Sequence, residues 1–414
     1  EEPSDTGTPP VSEEPSDTGT PPVSEEPSDT GTPSVTAPPR VTETPAPTET
    51  PMETETPAPT ETPMETETPA PTETPMEAEE PTETPASDDC LLDDLNPPEF
   101  DSAAITRNPV QQTLNGGDEA DLIGGRGFND SINGLAGNDT VYGMGGNDNI
   151  QGGADNDSLV GNGGSDFIEG DAGNDTIYGS KDNDTLVGGD GSDFLSGDSG
   201  NEIVAGGGGN DAMFGGKGDD ILLGEDGQDH ILGNSGNDTI NAGDGNDIAF
   251  GNEDADLIFG LFGDDTLYGG KQNDSLDGGE GNDLLLAGNE DDVLCGDAGN
   301  DTMYGGKGKD ILSGGAGDDF LSGDVGDDIL TGGSGSDLFL VNPSWGSGSD
   351  IITDFRKGED LIGLTSNLSF AQLTISSSNN ETSIIVSDTG QLLAKLNGVR
   401  RGILTASDFT QVSI

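Results

Sequence analysis

Residues 296–322 read GDAGNDTMY, GGKGKDILS and GGAGDDFLS, three versions of one nine-residue unit. In each, a glycine stands five residues before an aspartate (Gly296, Gly305, Gly314), and a second glycine stands two before it (Gly299, Gly308, Gly317). Two residues after the aspartate comes a large apolar residue: Met303, Leu312, Leu321. The phase holds outward in both directions. Stepping by nine from Asp121 to Asp337, every position is aspartate except Glu202. The first glycine gives way only to Ala242 and Ala287, and the second to Glu119, Phe128, Asp155, Asp182, Asp254, Gln272 or Glu290. The apolar residue is small only at Ala249.

The unit has a physical reading. Alternate side chains of a strand point to opposite faces, so Ile132, Leu159 and their equivalents point inward from short strands and their neighbours point outward. Glycine supplies positive φ in the turns without steric cost and leaves backbone carbonyls uncovered. A hard cation such as Ca²⁺ takes six to eight oxygens, which a carboxylate and uncovered carbonyls of stacked turns can provide. Asn at the position before the acid, as in Asn138, Asn174, Asn237 and Asn300, suits a tight turn and a structural role.

Written as GGxGxDxUx, the unit resembles the RTX, or hemolysin-type calcium-binding, repeat family. The resemblance implies an all-β fold: a parallel β-roll in which six residues turn, three form a strand, and two repeats complete one coil. It also implies multiple bound Ca²⁺ ions. The expected ligands are the acids of loops that keep both a ladder aspartate and the second glycine: Asp139, Asp148, Asp166, Asp175, Asp193, Asp211, Asp220, Asp229, Asp238, Asp247, Asp265, Asp283, Asp301, Asp310, Asp319, Asp328 and Asp337. Loops lacking that glycine are expected to have altered geometry or occupancy.

Composition sets the reason for a metal. Against 13 basic residues the 414-residue chain carries 82 acids, a formal net charge of −69. Such a chain repels itself when compact unless it sheds charge or binds cations, and it is a poor partner for nucleic acid or anionic membranes. One inward apolar residue in nine is too little burial to offset the entropy of ordering the other eight. The repeats are therefore expected to fold when calcium binds, the binding free energy becoming folding free energy. No apolar run approaches the length needed to cross a bilayer.

Outside the repeats the chain changes character. Residues 1–86 are two proline-rich twelve-residue repeats, EEPSDTGTPPVS and ETPAPTETPMET, with no aromatic residue. They read as a disordered stalk, either a passive tail or a spacer. Residues 87–115 bring the first apolar residues (Leu91, Leu92, Leu95, Phe100, Ile105) and read as an entry cap to the roll at 116–340. Residues 341–414 alternate like short strands (DIITDF, DLIGL, QLTI, TSIIVS, QLLAKL) and read as a C-terminal cap with Trp345, Phe355, Leu361, Phe370 and Leu393 in its core. Resemblance of the closing LTASDF to hemolysin-type tails implies a type I secretion signal there. A start at Glu1 reads as a processed precursor or a fragment.

Sorting the position three after each acid by coil parity gives one face with Tyr142, Tyr178, Phe214, Phe250, Tyr268 and Tyr304, and another whose single aromatic is Phe259. An aromatic file can bind sugar rings or a second copy of the chain, or can simply stiffen a sheet. No catalytic set emerges. His230 is the sole histidine, which excludes an HExxH zinc site, and the GDSG at Gly197–Gly200 is what the repeat yields when serine fills its variable position. Cys90 and Cys295 are the two cysteines, and nothing in the sequence pairs them. The leading expectation is an extracellular, secreted or cell-surface, calcium-binding structural protein without enzymatic activity. The alternatives are an adhesin or glycan-binding module using the aromatic face, and the C-terminal part of a larger RTX toxin or hydrolase.

Overall fold

A computed structural model describes residues 112–343, 348–365, 368–378, 380–399 and 404–413. The expected stalk, the entry-cap residues before 112 and Trp345 lie outside the described residues.

Each nonapeptide forms one strand, and successive strands go alternately to two sheets of 17 and 15 strands. Pairing along the repeats is parallel and in a register of eighteen: Leu195 lies opposite Met213, Leu222 opposite Ile240, and Ile258 opposite Leu276. Two repeats therefore make one coil of a parallel β-solenoid, and the described residues contain no α-helix. The period of two explains the thin core. One side chain per strand points between the sheets, and from Ile132 to Phe339 these residues are essentially inaccessible, whereas Ile123 in the first full coil retains 9% exposure.

The turns stack as tightly as the strands. Gly173 donates its N–H to Asp190 O at 2.9 Å, and Thr176 donates to Asp157 O at 2.9 Å, so turn pairs with turn along the axis. The residue two before the acid has positive φ in most repeats, as at Gly299 (φ 150°). Five of the seven replacements are held there too: Asp155, Asp182, Asp254, Gln272 and Glu290 have φ between 67° and 77°. Those angles lie below the 97–159° of the positive-φ glycines at the same position, so the five loops keep a left-handed turn of shifted geometry. The first glycine serves a different need from the one its sequence suggests. Gly260 and Gly269 have no positive φ; their missing Cβ is what matters, since each abuts an acid and a carbonyl.

At the C-terminal end, Asp350–Ile352 and Leu361–Thr365 extend the two sheets in parallel. Leu373–Ser378, Glu381–Val386 and Leu392–Asn397 form antiparallel pairs, and Leu392–Asn397 docks on Asp350–Ile352. Phe409–Val412, from the closing LTASDF motif, pairs with Leu361–Thr365. Phe355 and Leu393 are buried in this cap, while Phe370 is half-buried against Phe409 with ring centroids 5.0 Å apart. Leu361 is the exception to the expected core. It stands opposite Leu338 on the outer face, and its neighbour Ile362 points inward instead.

Candidate metal centre

The period of eighteen brings the ladder acids together in two files, one along each edge of the roll. Asp139, Asp175, Asp193, Asp211, Asp229, Asp247, Asp265, Asp283, Asp301, Asp319 and Asp337 share the first; Asp148, Asp166, Asp220, Asp238, Asp310 and Asp328 share the second. All are buried. Within a file the backbone N–H donates to Oδ1 of the aspartate one coil on, the ladder being interrupted only where the next rung is Glu202: Asp193 donates to Asp211, Asp211 to Asp229 and Asp229 to Asp247, each at 2.8 Å.

The second carboxylate oxygen is the unusual one. From Asp139 to Asp328, Oδ2 of every ladder aspartate is inaccessible and without a hydrogen-bond partner. A buried, unpartnered carboxylate oxygen is costly, and its repetition marks a place where something is meant to bind. The glycine five residues earlier opens the space in front of it. A Cβ on Gly260 would fall 2.5 Å from Asp265 Oδ2 and 2.5 Å from Gly278 O, and one on Gly269 would fall 2.5 Å from Asp274 Oδ2 and 2.7 Å from Ala287 O. A carboxylate oxygen and a carbonyl from the next coil thus converge on one glycine-sized gap. Among the described residues no three His, Cys, Asp or Glu side chains gather around a point, so any ion here must draw on backbone carbonyls. That donor set is all oxygen, which fits calcium and not a thiolate- or imidazole-seeking metal.

Electrostatics favours the same conclusion. Burial, reinforced by repulsion from acids one coil away, pushes Asp166, Asp256, Asp292 and Asp301 from 3.8 up to about 8, despite the N–H each accepts. Burial and the adjacent Asp220 push Glu202 up to about 9. Two files of such groups cannot all be ionised at neutral pH without a compensating cation.

Several ladder members escaped the sequence criterion. Asp157, Asp184, Asp256, Asp274 and Asp292, set aside for lack of the second glycine, accept the same Oδ1 hydrogen bonds at 2.8–2.9 Å. Asp121 and Asp130 differ: Oδ2 of each already accepts an amide of its own turn, from Gly117 and Arg126. Beyond the last repeat, Asp350 and Asp360 take the next two rungs, accepting the amides of Asp328 and Asp337 at 3.4 and 3.2 Å. Stepping by nine misses them because the preceding loops are longer. Their signal was available in GSGSDII (346–352) and GEDLI (358–362), which keep a glycine two before the acid and isoleucine two after it.

Two outer features accompany the files. The asparagines before the acids form a second ladder of opposite sense, with Asn174 N–H donating to Asn156 Oδ1 at 3.0 Å and Asn300 N–H to Asn282 Oδ1 at 3.0 Å. All six aromatics of the sequence-defined file lie on the 15-stranded sheet. There Tyr178, Phe194 and Phe214 make a run with centroids 5.6 and 5.3 Å apart, and Phe250 stacks on Tyr268 at 4.5 Å. His230, outward as expected, joins them against Phe250 at 5.6 Å.

Residues 124–339 match the family described as RTX calcium-binding nonapeptide repeat (4 copies), in overlapping windows that cover the stretch without a gap. Among solved structures the chain is similar to extracellular lipase LipA from Serratia marcescens, with 19% identity and a TM-score of 0.21 over 52% of this chain and 42% of the lipase. It is also similar to the AlgE6R3 subunit of the Azotobacter vinelandii mannuronan C5-epimerase, with 26% identity and a TM-score of 0.17 over 31% of this chain and 77% of that one. The chain thus spans about two fifths of the lipase's length. No curated protein sequence matches it.

Proposed function

Because the chain belongs to the RTX calcium-binding nonapeptide repeat family and carries its calcium-binding β-roll, we propose that it is a secreted or cell-surface structural protein, without an enzymatic centre, whose roll is closed by calcium outside the cell. The observation that carries this reading is the unbroken run of buried Oδ2 atoms facing glycine-sized gaps. In it, the ladder aspartates named from the sequence, joined by Asp157, Asp184, Asp256, Asp274 and Asp292, supply Oδ2. The glycine five before the next acid of the file supplies a carbonyl, as Gly278 does for Asp265. Bound calcium supplies the positive charge that lets both files stay ionised. Ala242 and Ala287 place a methyl group where the other loops have open space, so the gaps facing Asp247 and Asp292 are the weak members of the series.

The C-terminal residues 341–414 serve as the cap that hides the last apolar layer, and type I export is assigned to the same segment. The closing motif is well anchored for the capping role: Thr405 Oγ1 donates to Asp408 Oδ2 at 2.9 Å, and Lys357 Nζ pairs with the same oxygen at 3.2 Å. Among the described residues no helix is long and apolar enough to cross a membrane. The aromatic file is read as a brace along the sheet rather than a glycan platform, since Phe250 stacks on Tyr268 and the rings of Tyr178, Phe214 and Tyr304 pack on Phe194 or Phe320 of neighbouring strands.

The reading fixes a concentration range. Folding of the full chain followed by circular dichroism should have its calcium midpoint at roughly 0.1–1 mM, the range of extracellular modules. A sub-micromolar midpoint would let the roll close before export and would contradict the proposal.

A further inference from the structure

Charge is divided unequally between the two edges of the roll. Successive strands go to opposite sheets, so the turns leaving the 15-stranded sheet form one edge and the turns leaving the 17-stranded sheet form the other. Every lysine and arginine between residues 116 and 340 (Arg126, Lys181, Lys217, Lys271, Lys307 and Lys309) lies on the first edge. The second edge has no base, and its exposed charges are all acidic. Lys217 is the last residue of Ala212–Lys217, and Lys181 and Lys271 stand at the same place in their repeats. Asp190, Asp226 and Glu280 are the last residues of Thr185–Asp190, Ile221–Asp226 and Ser275–Glu280 on the other sheet. All six side chains are exposed.

The two files share one spacing. Lys181, Lys217 and Lys271 are two and then three coils apart, and so are Asp190, Asp226 and Glu280, each nine residues after its lysine. Nine residues are half a coil, about 2.4 Å along the axis. The lysine edge of one copy and the acidic edge of another are therefore in step.

We propose that calcium-loaded copies of this chain associate side by side and pointing the same way, the lysine edge of one against the acidic edge of the next. The contact sets Lys181 against Asp190, Lys217 against Asp226, Lys271 against Glu280 and Lys309 against Asp318 of the neighbouring copy. The same offset sets no exposed acid of these edges against another: Glu253 meets Phe262, Asp219 meets Gln228, and Asp244 meets Ser235. In so acidic a chain that avoidance matters as much as the pairs, since like charges would hold copies apart. Lys271 and Lys309 already touch Glu253 and Asp327 of their own edge, but as exposed pairs that cost little to exchange. Each copy carries one edge of each kind, so the contact is heterologous and extends into an open row instead of closing as a dimer. The row rests on the calcium-closed roll proposed above, because unneutralised ladder acids would repel a neighbour.

Sedimentation velocity of the full calcium-loaded chain, at about 20 mM and about 500 mM salt, tests the row. At low salt the chain should form species larger than a monomer that grow with protein concentration, and at high salt it should be monomeric. Two altered chains reverse the edges: Lys181→Glu, Lys217→Glu and Lys271→Glu in one, Asp190→Lys, Asp226→Lys and Glu280→Lys in the other. Each alone should associate roughly tenfold more weakly than the unaltered chain, or less. An equal mixture should regain association, because alternating copies then set opposite charges at every contact. A low-salt monomer, association that survives both reversals, or a mixture no better than its parts would overturn the row. Circular dichroism of the same samples keeps the two readings apart. Monomer with full calcium-induced sheet counts against the row alone, whereas absence of that sheet in the unaltered chain counts against closure by calcium.

Discussion

Replacing Asp211, Asp229, Asp247 and Asp265 together with alanine should abolish calcium-induced sheet in the full chain at millimolar calcium. Each change removes an Oδ1 that accepts a buried amide, so the N–H groups of Asp193, Asp211, Asp229 and Asp247 lose their partners. An orphaned buried donor costs about 1–3 kcal/mol. Four amount to about 4–12 kcal/mol, comparable with the roughly 5–15 kcal/mol that holds a typical domain. Four adjacent Oδ2 atoms, the proposed metal donors, vanish with them. The inward residues Met213, Ile231, Ala249 and Leu267 are untouched, so a roll held mainly by its core would survive, and relief of acid repulsion would even stabilise it. The matching asparagine variant separates the two losses. Asn keeps a neutral acceptor for the ladder amide but not the charge, and should still raise the calcium midpoint at least tenfold, read by circular dichroism.

Acidification in the presence of chelator should restore sheet that neutral pH denies. The buried acids have folded-state values raised to about 6 (Asp148, Asp211), about 7 (Asp229, Asp265) and about 8 (Asp166, Asp301), against 3.8 when unperturbed. Burial is the main cause in each, so folding without metal takes up protons. Stability from these groups is fully present below about 4, where both states are protonated, and is lost as pH rises through about 6 to 8. The metal-free chain should therefore gain sheet as pH falls across that window. The calcium-loaded chain should run the other way, with affinity falling as protons compete for Oδ2. A metal-free circular dichroism signal flat from pH 8 to pH 4 would contradict the account.

Much of this architecture was legible because a solenoid repeats one local decision. The apolar residue two after each acid determined the strand, the inward face and the eighteen-residue register at once, from Ile132 to Phe339. Parity sorting alone puts Tyr178 and Phe214 on one sheet, where they stand. What stayed hidden was of two kinds. The extent of the turn adjustment was one: Asp155 and Gln272 stay left-handed at 75° and 67°, where glycines at that position run from 97° to 159°. The ladder's continuation to Asp350 and Asp360 was missed because longer loops break the phase while the rungs remain in line.

The central claim is that cations close two walls of carboxylate that a thin apolar core cannot close alone. Far-ultraviolet circular dichroism of the full chain at neutral pH, first in excess EDTA and then on adding calcium, tests it most directly. The account predicts little sheet in EDTA and a cooperative, chelator-reversible gain on titration. Full sheet in EDTA, with no change when calcium is added, would contradict it.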